Sequence, residues 1–439
     1  MRALMLALGA NAFHQAALIA LVPVLQALYG VPLAVLGALV GLGLLVAAAA
    51  VPLWGRAAAA AGLRLALSAA LTGACAGVVL MGGSLFLVAR DLIDATAGFA
   101  LLAAGRLLFS LSAPALLPLV QSADGLLPAR PSGSGGAGRG TLAGHIGRVN
   151  AMNGFGRLAG NALIAPLLAF GPWVPAVLPL PVYLAALMVL LRQAGSGGAR
   201  LKKSPAVMAD AANGAPRAAL RWRPLSGPLA FGFLLQLAAG ASYVLLGPVI
   251  ASRLGLGAEA AAGAAGFCLA AAVATGLAVQ LGLERLVGPR LQLGRLAGAV
   301  LCALGLGLLS AANSLLVLAA AASLMAAGVS AALGANTAFT IELGREQNQG
   351  GAGGTIAATR LSSVQFAGLA AGAFLGGALG GTDLNGALVV FTIMAALAAL
   401  PSLAAVLAVG RERRGREPSS SLSLDPVLPT TAVRKGASE

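Results

Sequence analysis

Long apolar stretches follow one another along the chain, separated by short breaks that carry glycine, proline or charged residues. A helix needs about 20 consecutive apolar residues to cross the hydrocarbon core of a bilayer. Stretches of that length recur throughout the sequence and predict twelve membrane-spanning helices. The predicted spans, numbered first to twelfth, are 3–28, 32–54, 65–89, 95–120, 146–170, 173–191, 226–250, 258–281, 293–312, 314–341, 355–380 and 384–409.

Composition leads to the same fold class, an all-α membrane protein. Hydrophobic residues make up 59% of the 439 residues, and charged residues only 9%. A soluble core of this size cannot enclose so much apolar surface, so the bilayer must act as the solvent for much of it. Cys75, Cys268 and Cys302 fall inside predicted spans, where we expect them to pack as small apolar residues. No metal site and no cofactor are predicted.

The formal net charge of +15 suggests a nucleic-acid partner, but its distribution argues against one. With a cytoplasmic N-terminus, Arg90 and Arg253 alone fall on the outer side, Arg106 and Arg157 fall within spans, and the other basic residues are cytoplasmic. This is the positive-inside pattern, and it predicts an inner-membrane protein with both termini in the cytoplasm. The apolar run at the N-terminus continues to Leu28, which favours a retained first span over a cleaved signal peptide.

Polar segments interrupt the spans and define the predicted domains. Residues 192–225 are basic and rich in Gly, Ala and Pro, which predicts a cytoplasmic linker between a six-helix half at 1–191 and another at 226–409. Residues 129–144 are rich in glycine, and we expect a flexible loop there. Residues 410–439 predict a disordered cytoplasmic tail whose basic cluster meets anionic lipid headgroups.

The two halves share short stretches of sequence. AGLRLAL from Ala61 matches VGPRLQL from Val287, and GRLAGN from Gly156 matches GLAAGA from Gly368. The members of each pair occupy the same place in their respective halves. Duplicated six-helix halves are an architecture of secondary transporters, which suggests a transport function.

The loop between the second and third spans carries a family resemblance. PLWGRAAAAAGLRLAL, which includes Arg56, resembles the corresponding loop of the major facilitator superfamily, with Gly62 and Arg64 in the family's places. Ala59 and Ala60 stand where the family has Asp and Arg. The resemblance implies the 12-helix transporter fold of that superfamily and a role of this loop in gating. The alternative is a basic anchor with a tight turn at Gly62 and no gating role.

Three further stretches resemble the drug:proton antiporters of that superfamily. GRLLFSLSAPALLP places Arg106 at the arginine position of the fourth-helix pattern. GFGRLAGNALIAP in the fifth span and GLAAGAFLGG in the eleventh resemble the pattern Gly-x-x-x-Gly-Pro, with Asn161 and Ala373 at the proline position. Small residues four apart let two helix backbones approach closely. The glycines of the two patterns are Gly156, Gly160, Gly368 and Gly372. The resemblance implies proton-coupled export of drugs or metabolites, including carboxylate siderophores.

Polar residues deep in the spans are candidates for the transport site, because each of them is costly in a bilayer. In the resembled family the first, fourth, seventh and tenth helices line the central cavity, which implies that several of these residues meet there. An interhelical hydrogen bond is the alternative explanation for any single Asn or Gln. The candidates for substrate binding or coupling are Asn11, His14, Gln15, Arg106, Arg157, Asn161, Gln236, Tyr243, Asn336 and Gln365.

The proton-coupling residue is predicted by elimination among the deep side chains. No predicted span carries an acidic residue near its centre. The imidazole of His14 has an unperturbed pKa of about 6.5, which lets it take up and release protons near neutral pH. We therefore predict that His14 couples transport to protons, with a structural histidine as the alternative.

Arg106 and Arg157 predict the charge of the substrate. Each lies near the middle of its span, and neither has an obvious acidic partner in its half. Arginine binds carboxylate or phosphate through two parallel hydrogen bonds, so an anionic or zwitterionic organic substrate is predicted. A hydrated cavity or backbone carbonyls could also hold these cations, and the alternative for Arg157 is a contact with helix-end carbonyls.

Other function classes remain as alternatives to an anion exporter. A multidrug antiporter for lipophilic cations is the first, and a non-transporting membrane sensor or scaffold is the second. An enzyme is not expected, since the sequence contains neither His-Glu-x-x-His nor Gly-x-Ser-x-Gly. The predicted partners are a small-molecule substrate, protons and the lipid bilayer, and we expect a monomer.

Overall fold

The structure, a computed structural model, describes residues 2–121, 138–195, 222–287, 290–347 and 351–415. Within these ranges the chain is helical and contains no strand, which confirms the predicted all-α membrane fold. Eleven helices there are long and apolar enough to cross a membrane. The fifth predicted span forms the helices Gly138–Ala162 and Ile164–Leu168, which Leu163 separates.

The observed helices correspond to the predicted spans in order. Their bounds, from the first span to the twelfth, are Arg2–Ala20 with Val22–Tyr29, Leu33–Ala61, Leu63–Ala89, Ala95–Ser112 with a 3₁₀ turn Ala113–Ala115 and Leu116–Gln121, Gly138–Ala162 with Ile164–Leu168, Val174–Val177 with Leu180–Gly195, Trp222–Leu254, Ala258–Val287, Leu291–Ala311, Leu315–Gln347, Gly351–Gly380 and Leu384–Gly415.

The first and fourth spans are broken at prolines. The first span divides at Leu21, where Pro23 occupies the first turn of the next helix. The fourth span passes through a 3₁₀ turn that contains Pro114. Proline has no N–H to donate and its ring clashes with the preceding turn, so it ends or bends an apolar run that otherwise favours one helix.

Several boundaries differ from the sequence prediction. The fifth span begins at Gly138, so residues 138–144 of the predicted flexible loop are helical. The twelfth span continues to Gly415, so residues 410–415 of the predicted tail are helical as well. The rest of that loop, residues 196–221 of the predicted linker and residues 416–439 of the tail lie outside the described residues.

Successive spans run in opposite directions, so the bundle has two distinct ends. One end, here called the linker end, carries Arg2, Gly62 and the helix ends at residues 195 and 222, which flank the predicted linker. The far end carries the breaks between consecutive spans, at residues 30–32, 90–94, 169–173, 255–257, 312–314 and 381–383. Within the N-terminal half the first span packs on the fifth, and within the C-terminal half the seventh packs on the eleventh, in the same relative positions.

The two halves contact each other toward the far end, through glycines. A methyl carbon on Gly37 of the second span would lie 2.5 Å from the carbonyl oxygen of Ala373 and 2.7 Å from Cα of Gly377, both in the eleventh span. The fifth and eighth spans meet where Gly266 faces the carbonyl of Asn161. A side chain at such a position would hold the two backbones apart, so these glycines permit the contact.

Candidate functional site

His14 lies inside the N-terminal half. Its side chain is fully buried, and Nδ1 is 3.0 Å from the carbonyl oxygen of Ala176 in the sixth span. The imidazole is 4.5 Å from the ring of Phe109 in the fourth span, measured between centroids. Since a carbonyl oxygen only accepts, Nδ1 carries the proton in this hydrogen bond. Nε2 is buried without a hydrogen-bond partner among the described residues.

Arg106 lies where the fourth span meets the first and second spans. Its side chain is partly exposed, and a methyl carbon on Gly43 of the second span would lie 3.1 Å from its Nε. The guanidinium makes no hydrogen bond and no ion pair with any described residue. Gly43, which the sequence analysis did not single out, therefore leaves the space that this cation occupies.

Arg157 lies on the fifth span between two faces that pack against other spans. Gly156 and Gly160 of the same helix face the first span, and Asn161, one turn after Arg157, meets the eighth span. Phe155 points to the opposite side and is 64% exposed, as expected for a lipid-facing residue. Arg157 itself is exposed. It makes no hydrogen bond with any residue that the structure describes.

The helices that carry the two arginines contact the first span at different places. Phe109, three residues after Arg106, touches His14, while Gly156 and Gly160 flank Arg157 and pack on the backbone at residues 9–13. On the same stretch the amide of Gln15 donates to Asn11 Oδ1 over 3.2 Å. Asn161, another predicted site residue, is buried, and its Oδ1 has no partner in the described ranges.

In the C-terminal half the structure brings Asn336 and Gln365 together beside Gly232. A methyl carbon on Gly232 would lie 3.3 Å from Asn336 Nδ2 and 3.4 Å from Gln365 Cγ. Asn336 is fully buried and donates to the carbonyl of Pro228 over 3.0 Å. Gln236 lies one turn farther along the seventh span and is half-buried.

Tyr243 lies nearer the far end of the seventh span and is also half-buried. Its position separates it from the pair formed by Asn336 and Gln365, which adjoins Gly232 eleven positions earlier in the sequence. The C-terminal candidates therefore divide into one cluster and one separate residue.

Arg295 was missed by the sequence analysis. It lies in the ninth span, is only 3% exposed, and donates to Gln292 Oε1 over 2.9 Å. Its guanidinium carbon is 4.5 Å from the ring centroid of Phe231 and 5.0 Å from that of Phe339, which belong to the seventh and tenth spans. Two aromatic faces stabilise a cation that lies away from water. Its position near a span end gave no signal of this burial.

The glycines predicted from the antiporter pattern lie at contacts within each half. A methyl carbon on Gly156 or Gly160 would fall on backbone carbonyls of the first span. Gly368 and Gly372 face the carbonyls of Phe233 and Leu237 in the seventh span in the same way. These pairs join helices of one half, whereas the contacts between halves use Gly37, Gly266 and Gly377 instead.

The loop between the second and third spans holds one half together. Gly62 has a positive φ of 94° and separates the two helices, a conformation that favours glycine. Arg64 donates from Nε and Nη2 to the carbonyl oxygen of Leu190 in the sixth span, over 2.9 Å and 2.6 Å. Arg56 is exposed. In this structure Arg64 therefore joins the third span to the sixth span of its own half.

Cys75, Cys268 and Cys302 are free and buried, as expected for small packing residues. No cluster of His, Cys, Asp or Glu suited to a metal ion occurs in the described part of the chain.

Solved structures of transporters share this fold. A nucleoside transporter, NupG in a mutant form, superposes with a TM-score of 0.67 at 13% identity, covering 91% of this chain and 99% of that one. The xylose transporter XylE from E. coli gives a TM-score of 0.62 at 13% identity, covering 91% and 95%. The peptide transporter PepTSo of the POT family gives 0.63 at 13% identity, covering 95% and 99%. At such identities these likenesses show the fold alone.

A search of curated protein sequences finds no match. The sequence profile of the Major Facilitator Superfamily, in contrast, matches residues 4–363, which is most of the chain. The twelve-span architecture with two packed halves is the one that the sequence resemblance implied. The chain belongs to the Major Facilitator Superfamily.

Proposed function

We propose that this secondary transporter moves an anionic or zwitterionic small organic molecule. The observation that carries the proposal is the pair Arg106 and Arg157, two cations on helices that contact the first span. Neither has a carboxylate partner among the described residues. An unpaired cation inside a membrane protein is costly, and a bound carboxylate or phosphate would offset that cost through paired hydrogen bonds.

Other parts of the proposal rest on the sequence. The antiporter-like stretches favour export, coupling to protons and a metabolite such as a siderophore as substrate. The distribution of basic residues favours the inner membrane with both termini in the cytoplasm, where the far end of the bundle becomes the outer face. We further propose that the protein works as a monomer by alternating access of its two halves.

The experiment measures transport by the purified protein in proteoliposomes. Carboxylates and zwitterions of increasing charge are compared with ethidium, a permanent cation. Arg106→Ala and Arg157→Ala should each weaken carboxylate binding by at least about tenfold, the loss expected for one charge-assisted pair. Arg→Lys should restore binding only in part, because an ammonium lacks the planar fork.

Two results would contradict the proposed function. Strong ethidium efflux that neither arginine change affects, without carboxylate transport, would make the protein a multidrug transporter for cations. Absence of any flux in vesicles would favour a sensor or scaffold.

A further inference from the structure

A cavity of about 390 Å³ lies at the far end of the C-terminal half. Its walls come from the end of the seventh span and from the connection between the eleventh and twelfth spans. All of its lining residues belong to the C-terminal half, so the cavity is separate from Arg106 and Arg157. Its volume is at the small end of the range for ligand pockets, which suits a molecule of amino-acid size.

Arg253 provides the positive charge of this cavity and is held in place by its neighbours. Nη1 donates to Asn313 Oδ1 over 3.1 Å, and Nη2 donates to the carbonyl oxygen of Ser310 and to Asn385 Oδ1. All three acceptors are uncharged, and no described carboxylate pairs with the guanidinium. The N–H group of Nε and one N–H group of Nη1 donate to no described residue. Arg253 therefore keeps its full charge and two donors for a ligand.

Asp383 provides a negative charge in the same cavity. It is exposed, and its Oδ1 accepts from the backbone N–H of Asn385 over 3.0 Å. Asp383 and Arg253 both line the cavity, yet they form no ion pair with each other. A ligand that carries both charges could pair with the two side chains at once through charge-assisted hydrogen bonds.

Neutral polar groups complete the lining of the cavity. Asn385 Oδ1 accepts from Arg253, so the amide nitrogen Nδ2 keeps its two donors. Ser252 also lines the cavity, and its hydroxyl makes no hydrogen bond in the described part of the chain. Thr382 donates its hydroxyl proton to the carbonyl oxygen of Leu379 over 2.8 Å and can still accept. These groups suit a strongly polar ligand.

We propose that this cavity is a binding site for a small zwitterion, whose carboxylate pairs with Arg253 and whose ammonium group pairs with Asp383. With a cytoplasmic N-terminus, the site lies on the outer face of the membrane. Neither residue belongs to the candidate transport site, so the proposal is independent of the proposed function.

Calorimetry of ligand binding to the purified full-length protein tests the proposal. The probes are the zwitterions glycine, 4-aminobutyrate and 6-aminohexanoate, whose charges are increasingly far apart, and the singly charged analogues butyrate and butylamine. At least one zwitterion should bind about fivefold more tightly than both analogues, because an exposed charge pair contributes about that much. If no zwitterion binds more tightly than the analogues, the proposal is wrong.

Asp383→Asn removes the charge and keeps the side-chain acceptor. Asparagine can still accept from the backbone N–H of Asn385, so the start of the twelfth span is preserved. The variant should bind the best zwitterion about fivefold more weakly and butyrate as before. Asp94→Asn is the matched control, because Asp94 is exposed at the far end and accepts from the backbone N–H of Ala97 over 2.9 Å. Equal zwitterion affinity in both variants would overturn the proposal.

Two arginine variants identify where the ligand binds. Arg253→Gln should weaken the binding of both the zwitterion and butyrate about fivefold, with thermal denaturation as the check on folding. Loss of zwitterion binding in Arg106→Ala, together with unchanged binding in Asp383→Asn, would place the ligand at the transport site; the inference then fails and the proposed function stands. If Arg106→Ala keeps normal carboxylate transport, the proposed function fails, and the calorimetry of Asp383→Asn still decides on the cavity.

Discussion

At Gly43 the lack of a side chain determines where Arg106 lies. A methyl group there would come within 2.9 Å of Ser110 Oγ and 3.1 Å of Arg106 Nε. We predict that Gly43→Ala displaces the guanidinium and weakens carboxylate binding about fivefold, which corresponds to about 1 kcal/mol of overpacking. Binding is measured on the purified protein. Gly83→Ala is the matched control, since a methyl group there meets nothing within 4 Å. Equal binding by both variants would contradict the role of Gly43.

Arg106 and Arg295 show which single residues a sequence can identify as site candidates and which it cannot. Arg106 was predicted as a site residue because a cation in the middle of an apolar run is conspicuous by itself. Arg295 lies close to a span end, where a long side chain usually reaches the interface. Its burial depends on Phe231 and Phe339, which come from two other spans, so no local pattern contains that information.

At the scale of the helices, the paired glycines hold each half together. A side chain on Gly160 would fall on the carbonyl of Phe13, and one on Gly372 would fall on that of Leu237. We predict that Gly160→Leu and Gly372→Leu each lower the free energy of unfolding by at least about 2 kcal/mol and reduce transport. Thermal denaturation and flux in vesicles are the measurements, and Gly83→Leu is the control. Normal stability and flux in both variants would show that the close packing is dispensable.

The sequence predicts where the helices lie, because the length of an apolar run depends only on residues that are neighbours in the chain. The predicted division between the ninth and tenth spans is confirmed by the helix ends at Ala311 and Leu315. The partners of each helix were harder to predict. Arg64 bonds to Leu190, more than a hundred positions along the chain, and this contact depends on how the third and sixth spans pack.

For the whole molecule, the far end closes where Gly37 meets Gly377. A methyl carbon on Gly377 would lie 2.8 Å from both Gly37 Cα and the carbonyl oxygen of Leu33. We therefore predict that Gly377→Leu keeps the far end open and increases the distance between the halves there by several ångströms. The sequence analysis predicted the glycines that join helices within a half. It did not predict this pair, because residues 37 and 377 come together only when the two halves pack.

This opening is measured as the distance between spin labels on Leu92→Cys and Leu316→Cys, one in each half at the far end and both positions exposed. The native cysteines are buried, so the labels should attach selectively to the introduced ones. Gly83→Leu should leave the distance distribution unchanged. If Gly377→Leu gave the wild-type distance distribution, the contact between Gly37 and Gly377 would not govern closure of the far end.

The uncompensated charges of Arg106 and Arg157 make the membrane potential relevant to transport. Each elementary charge that crosses a full 100 mV changes the free energy by about 2.3 kcal/mol. If alternating access moves the two guanidiniums through part of this field, the empty carrier moves positive charge, whereas a carrier loaded with a dianion moves little. The voltage-dependent step is then the return of the empty protein, and the number of negative charges on the cargo determines whether the loaded step is electrogenic.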